Sequence, residues 1–173
     1  MVKGCGRMRI AGIVRDSIAD GVGIRDVIFL QGCMHHCEGC HNPHTWNMEQ
    51  GDEISGDELI ELLDNSNNDI TISGGEPLLQ LEELMSFIAE MNALKGKKFW
   101  LYTGFTFEEI PFFVWEMLSK FVDVVVDGKF VKELADTNLQ FRGSSNQRLI
   151  DLPKTVIEQK IILWEDSYEE IME

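Results

Sequence analysis

Three cysteines lie close together in the first quarter of the chain, at a spacing suited to a metal centre. Cys33, Cys37 and Cys40 form a CxxxCxxC pattern. Thiolates are soft ligands and suit iron–sulfur clusters, zinc or copper(I). Structural zinc would take the three cysteines and one nearby histidine, and the cysteines alone leave this interpretation open. A 4Fe–4S cluster is usually held by four cysteines, so three would leave one iron free for a substrate or cofactor.

A glycine-rich segment, Ser73-Gly74-Gly75-Glu76-Pro77, is the second candidate for chemistry. Its glycines have no Cβ, which lets backbone amides and carbonyls approach a ligand closely. Glu76 offers an acceptor to a cationic amine, and Pro77 can start a helix. Taken alone, a glycine pair of this kind is more often a plain turn between a strand and a helix.

Short apolar runs rich in β-branched residues indicate the strands that position these segments. The predicted strands are 8–14, 27–31, 69–73, 98–102, 122–126 and 155–163. Helical stripes, each expected to face the core, fall at 55–63, 81–88 and 110–118. The first begins with a capping box of Ser55 and Glu58. The third begins either at a similar box of Thr106 and Glu109, or at Pro111.

Alternating strands and helices predict an α/β fold with a mostly parallel sheet. The chain has 173 residues, too few for an eight-unit barrel of roughly 250 residues. We therefore predict a partial, open (β/α) barrel of about five or six strands in a single domain, 1–173, with 1–7 and 165–173 as peripheral extensions. The polar and glycine-rich segments each follow a strand, and the carboxyl edge of a parallel sheet is where active sites assemble.

Composition narrows the possible partners and compartment. The formal net charge of -15 disfavours binding to nucleic acids and to anionic membranes. No run of eighteen apolar residues and no signal peptide are present in the sequence, so we expect a cytoplasmic protein. Three crowded cysteines in a reducing compartment indicate a metal site, whereas Cys5 is expected to be a free thiol in the terminal tail.

The two motifs, in this order and each after a strand, resemble the radical S-adenosylmethionine superfamily. Its hallmark is CxxxCxxC after the first strand, usually with an aromatic residue before the third cysteine, where this chain has Gly39. The resemblance implies a 4Fe–4S cluster on the three cysteines and S-adenosylmethionine held through its amine by the glycine-rich segment. A zinc module has no need of the second motif, so a noncatalytic zinc adaptor becomes the weakest alternative.

Four further segments are similar to the activating proteins of anaerobic ribonucleoside-triphosphate reductase, a family that tolerates glycine before the third cysteine. They are GVGIR at 21–25, WLYTG at 100–104, VDGKF at 126–130 and RGSSNQR at 142–148. The last segment is the most specific, because general members of the superfamily lack it.

This resemblance implies an enzyme that cleaves S-adenosylmethionine reductively, with an external low-potential electron donor, and makes a glycyl radical on the reductase. The residues implied to bind the cofactor are Ser73, Gly74, Gly75, Glu76, Thr103 and Asn146. The residues implied to lie near the docking surface are Asp127, Arg142 and Arg148. The remaining alternatives are an activator of another glycyl-radical enzyme, such as pyruvate formate-lyase, and a radical enzyme acting on a small molecule.

Overall fold

The computed structural model describes residues 6–165, so Cys5 and most of the acidic tail lie outside the described part. These residues form one mixed sheet and four α-helices. The strands are β1 (Arg7–Ser17), β2 (Arg25–Leu30), β3 (Asp52–Ser55), β4 (Asp69–Gly74), β5 (Phe99–Tyr102), β6 (Val122–Asp127) and β7 (Arg148–Asp151). The helices are α1 (Gly56–Leu63), α2 (Leu81–Lys95), α3 (Phe112–Leu118) and α4 (Leu152–Glu158).

The seven strands formed by residues 6–165 lie in the order β3-β1-β2-β4-β5-β6-β7. The central neighbours β2, β4, β5 and β6 pair in parallel, whereas β1, β3 and β7 pair antiparallel at the two edges. Successive parallel strands always add on the same side, so right-handed crossovers place their helices on one face of the sheet. The structure therefore confirms the predicted α/β class with an open sheet that is parallel in its middle, although three of the six strand pairings are antiparallel. Strands β3 and β7, which the sequence analysis did not predict, bring the strands to seven.

The two faces of the sheet carry different cores. Strand residues such as Ile72, Leu101 and Val125 pack with buried residues of the helices in the larger cluster. Because side chains alternate along a strand, Trp100 points to the other face. There it forms a smaller cluster with Leu149 and neighbouring side chains from loops. The helices thus cover one face, and aromatic side chains from loops fill the other.

The end of the chain differs from the prediction. The prediction of a strand at 155–163 is wrong, because this segment contains most of α4 followed by an irregular stretch. The side chain of Asp151 accepts a hydrogen bond from the Lys154 amide at 3.0 Å, and Pro153 lies in the first turn. These two features start a helix more strongly than the β-branched run resists it. Only an isolated bridge between Ile150 and Leu163 pairs this region with the sheet.

The predicted helices form, with one change of face. The Ser55–Glu58 capping box is present at α1. The Thr106–Glu109 box closes a separate 3-10 turn, and α3 begins after Pro111, the second of the two predicted starts. The stripe predicted for α3 comprises Ile110, Phe113, Val114, Met117 and Leu118. It is confirmed in part, because Val114 and Leu118 are buried, whereas Phe113 is 60% exposed and Trp115, which lies outside the stripe, is fully buried.

The burial of Trp115 explains that change of face. Its indole donates a hydrogen bond to the Phe107 carbonyl at 2.9 Å, and its ring stacks on the Phe107 ring with centroids 5.0 Å apart. This tertiary contact rotates α3 away from the orientation that its apolar spacing predicted. Among the described residues, none of the helices combines the length and apolar character needed to cross a bilayer.

Candidate functional site

The carboxyl ends of the four parallel strands meet at one cavity, as the sequence predicted. The end of β4 and the loops after β2 and β4 contribute Cys33, Cys37, Cys40, Ser73, Gly74 and Gly75 to its wall. The end of β5 and the loops after β5 and β6 contribute Tyr102, Thr103, Gly104, Gly128, Lys129 and Phe130. This convergence is what parallel α/β topology produces, because every crossover returns the chain to the same starting edge.

The three cysteines are free thiols on the wall of this cavity. Cys33 is buried, whereas Cys37 and Cys40 are partly exposed. Burial raises the pKa of Cys33 and of Cys37, so a metal that binds here must displace their protons. Within residues 6–165, no three Cys, His, Asp or Glu side chains converge closely enough to hold a single ion. Three thiols on the wall of one cavity suit a cluster in which each thiolate binds its own iron.

The glycine turn is fastened to the start of the cysteine loop by backbone hydrogen bonds. The Gly75 amide donates to the Leu30 carbonyl at 2.8 Å, and the Glu76 amide donates to the Gly32 carbonyl at 2.7 Å. A Cβ on residue 75 would lie 2.2 Å from the Gly32 oxygen, and Gly74 has φ +103°. Both positions therefore require glycine, and the turn forms a cradle of bare backbone beside the thiols.

Glu76 lies behind this cradle and is fully buried. Its Oε1 accepts hydrogen bonds from the Thr103 hydroxyl at 2.9 Å and from the Leu78 amide at 3.0 Å. Its Oε2 accepts from the Gly104 amide at 2.8 Å and lies 2.8 Å from His35 Nε2. The sequence analysis expected this carboxylate to face a cationic amine. In the structure it instead joins the loops that follow β2, β4 and β5.

His35 is the contribution of the cysteine loop to that junction, and sequence reasoning missed it. Its side chain is almost completely buried and packs edge-on against Phe105, with ring centroids 4.6 Å apart. A Cβ on residue 104 would lie 2.4 Å from the His35 ring, so Gly104 is small to admit the ring. Because Nε2 is already paired with Glu76, this nitrogen is engaged in the structure and His35 is a less suitable fourth ligand for a Cys₃His zinc site than the sequence alone suggests.

The two remaining predicted cofactor contacts differ in their placement. Thr103 lines the cavity and is fixed by its hydrogen bond to Glu76. Asn146 does not line the cavity, and its side-chain amide donates to the Lys129 carbonyl at 2.8 Å. Its neighbour Gln147 does line it and donates to the Gly128 carbonyl at 3.0 Å. The RGSSNQR segment thus brings Gln147 to the cavity wall, next to Asn146, whose contact with a cofactor stays a prediction.

The three predicted docking residues also differ from one another in burial and in hydrogen-bond partners. Asp127 is buried and paired with Arg148, and it accepts a hydrogen bond from the Phe107 amide at 2.7 Å. This carboxylate therefore ties β6 to β7 and to the turn before α3, and its place at a docking surface stays a prediction. Arg148 also binds Glu108, and this hydrogen-bonded pairing lowers the pKa of Glu108 to about 2 and raises that of Arg148. Arg142 is half-buried and donates to the Gln147 carbonyl at 2.6 Å.

Comparisons with known proteins agree with this site. The model of a family described as "4Fe-4S single cluster domain" matches residues 19–150. A 137-residue stretch is 40% identical to the anaerobic ribonucleoside-triphosphate reductase-activating protein of Enterobacteria phage T4, covering 75% of this chain and 85% of that protein. The proteins of the same name from Haemophilus influenzae and Escherichia coli K12 are both 34% identical over 139 residues, which is 75% of this chain and 89% and 90% of theirs.

Among solved structures, QueE from Escherichia coli aligns with a TM-score of 0.49 and 18% identity, over 57% of this chain and 52% of that one. The sequence relatives show the family, because this chain matches them over most of their length. They confirm the resemblance that the cysteine loop, the glycine turn and the RGSSNQR segment indicated. The chain belongs to the family of anaerobic ribonucleoside-triphosphate reductase-activating proteins.

Proposed function

We propose that this protein is a radical S-adenosylmethionine enzyme that generates a glycyl radical on anaerobic ribonucleoside-triphosphate reductase. The observation that carries the proposal is the meeting of three thiols and a bare glycine turn in one cavity. The relatives' names indicate the reductase as the protein substrate. An external low-potential donor would supply the electron. We expect the enzyme to work in the cytoplasm, without nucleic acid.

Cys33, Cys37 and Cys40 would hold the cluster, since their three thiols line the cavity and leave one corner of a four-iron cluster to a cofactor. When bound, the cluster and S-adenosylmethionine supply the reducing electron and the radical that takes hydrogen from a glycine. Iron–sulfur clusters reach potentials as low as about −700 mV, so a strongly reducing electron is chemically accessible. The protein's task is to place and shield these groups.

The glycine turn would place the amino-acid end of the cofactor. Ser73, Gly74 and Gly75 present backbone to the cavity with no side chain on the two glycines to hold a ligand away. Glu76 would act through its neighbours, because its oxygens are already shared among Thr103, Gly104, Leu78 and His35. It keeps the turn and the cysteine loop at a fixed separation, which is the distance that a cofactor bridging them must span.

The experiment begins with anaerobic purification and iron analysis. We expect a brown protein with about four irons per chain, as the single-cluster family implies. Dithionite and S-adenosylmethionine should then yield methionine and 5′-deoxyadenosine. Cys37→Ala should lose the cluster and both products, whereas the matched variant Cys5→Ala should keep them. A colourless wild-type protein with stoichiometric zinc would overturn the proposal.

The partner is tested by electron paramagnetic resonance. The reduced enzyme, S-adenosylmethionine and anaerobic ribonucleoside-triphosphate reductase should together produce a glycyl-radical signal, and the Cys37→Ala variant should produce none. A signal with pyruvate formate-lyase and none with the reductase would reassign the protein substrate. Product formation at full rate with no protein partner and no radical signal would indicate a small-molecule substrate.

A further inference from the structure

Gly39 faces an aromatic ring that comes from a distant part of the chain. The residue has φ +75°, and a Cβ built on it would lie 3.3 Å from Cε1 of Phe130. Any side chain at position 39 would therefore be directed at the Phe130 ring. Most sequences of the superfamily carry their aromatic residue at this position, directly before the third cysteine. Position 39 has no side chain in this protein, and the aromatic ring beside it belongs to Phe130, in the loop after β6.

Several contacts hold the Phe130 ring in place beside the cysteines. Its ring centroid lies 5.1 Å from that of His41. A Cβ on Gly143 would lie 3.0 Å from its Cδ2, so the loop before β7 also packs closely against it. The ring is thus fixed between the cysteine loop and the RGSSNQR segment, and it lines the cavity.

Trp46 and Tyr102, which also line the cavity, have other neighbours than Gly39. Trp46 packs against His36, with ring centroids 4.9 Å apart. The Tyr102 hydroxyl donates to the Phe141 carbonyl at 2.7 Å, and its ring packs with the cluster on the far face of the sheet. Of the rings that line the cavity among residues 6–165, Phe130 is the one placed against the glycine before the third cysteine.

We propose that Phe130 supplies the aromatic surface on which the adenine ring of S-adenosylmethionine lies, in place of the side chain that Gly39 lacks. The inference rests on the proposed function, since it takes S-adenosylmethionine as the ligand. Its chemistry is general: a purine has a π-face, and a fixed aromatic ring is a favourable surface for it. The free iron of the cluster and the glycine turn would hold the amino-acid end of the same ligand, which leaves Phe130 the nucleoside end.

The test measures binding to the reconstituted, unreduced holoprotein by equilibrium dialysis, with S-adenosylmethionine and with methionine as separate probes. Base–aromatic stacking contributes roughly 1–3 kcal/mol, so Phe130→Leu is expected to weaken S-adenosylmethionine binding by about tenfold or more. Phe130→Tyr keeps the ring and should bind S-adenosylmethionine like the wild type. Methionine has no adenine, so its affinity should be the same in all three proteins. Four irons per chain in each sample confirm that the cluster is retained.

A second variant protects the test against loss of packing. Phe130→Met fills a similar volume beside Gly39 without a ring, so it should show the same selective loss as Phe130→Leu. Equal weakening of both probes would mean that Phe130 only packs the loop, and would overturn the inference. Unchanged S-adenosylmethionine binding in both ringless variants would overturn it as well. A wild-type protein that binds no S-adenosylmethionine would instead refute the proposed function.

Discussion

The Glu76→Gln substitution tests whether this carboxylate fastens the three loops together. The side chain is fully buried and each of its oxygens has two hydrogen-bond partners. Glutamine keeps the shape but replaces one accepting oxygen with an NH₂ group that accepts nothing. Two of the partners can adapt: the Thr103 hydroxyl can rotate to accept, and the His35 ring can change tautomer. The backbone amides of Leu78 and Gly104 cannot.

The cost follows from that geometry. One backbone amide binds Oε1 and the other binds Oε2, so either orientation of the new amide group leaves one buried N–H without an acceptor. An unsatisfied buried donor costs about 1–3 kcal/mol, and hydrogen bonds to a charged acceptor are stronger than neutral ones. We therefore expect Glu76→Gln to lower the free energy of unfolding by about 2–4 kcal/mol.

The assay is urea denaturation of the anaerobic apoprotein, which removes any contribution from cluster loss. Amide hydrogen exchange at Gly104 and Leu78 supplies a local readout and should accelerate at one of them. Glu133→Gln, an exposed carboxylate in the turn after β6, is the control and should change stability by less than about 0.5 kcal/mol. If Glu76→Gln changes stability as little as this control does, the loops are not held by the carboxylate.

The remaining predictions concern Arg148, which is paired with two carboxylates, and the glycine at position 104. Arg148→Gln should cost about 3–5 kcal/mol in urea titrations because it leaves the buried Asp127 carboxylate without its cation. Glu108→Gln should cost about 1 kcal/mol or less, because the Glu108 side chain is 59% exposed and its pairing is screened by solvent. The Glu108 pKa of about 2 lies below its ordinary value of 4.5, so its contribution is complete above pH 4.5 and is lost as the pH falls towards 2. The stability difference between wild type and Glu108→Gln should accordingly shrink between pH 7 and pH 3, and a constant difference would contradict the assignment. Gly104→Ala should destabilise by about 1–3 kcal/mol through overpacking against His35. Combining it with His35→Ala should cost less than the sum of the single changes, whereas strict additivity would show that the two positions do not collide.

The strands were predictable because their signal is local. Runs of β-branched residues flanked by glycine and polar residues mark β2, β4, β5 and β6 within a few positions, and the edge rule then brings the cysteines to the glycine turn. The strand predicted at 155–163 is wrong because the Asp151 cap and Pro153 start α4 just before the β-branched run, which then continues the helix. The face of α3 failed for the opposite reason: a tertiary contact at Trp115 overrides a local stripe.

The location of the site could be predicted from the sequence, but the hydrogen-bond network around Glu76 could not. The cysteines could be recognised from their residue type and spacing. The role of Glu76, in contrast, depends on His35 and Thr103, which lie 41 and 27 residues away in sequence. Periodicity carries no information about such pairs. The same holds for Phe130 and Gly39, whose relation is visible only once the loop after β6 is seen against the cysteine loop. The absence of a side chain at Gly39 is nevertheless consistent with the Phe130 ring lying close to this position.

The close approach of Gly75 to the Gly32 carbonyl has an evolutionary consequence. Mutating residue 75 collides with the backbone itself, 2.2 Å from a carbonyl oxygen, so purifying selection acts on this glycine through folding before it acts through chemistry. A descendant that lost its cluster and its cofactor would still be constrained to keep the glycine pair, whereas its cysteines would be free to drift. In divergent members of this family we therefore expect the glycine pair to report the fold and the cysteines to report the activity.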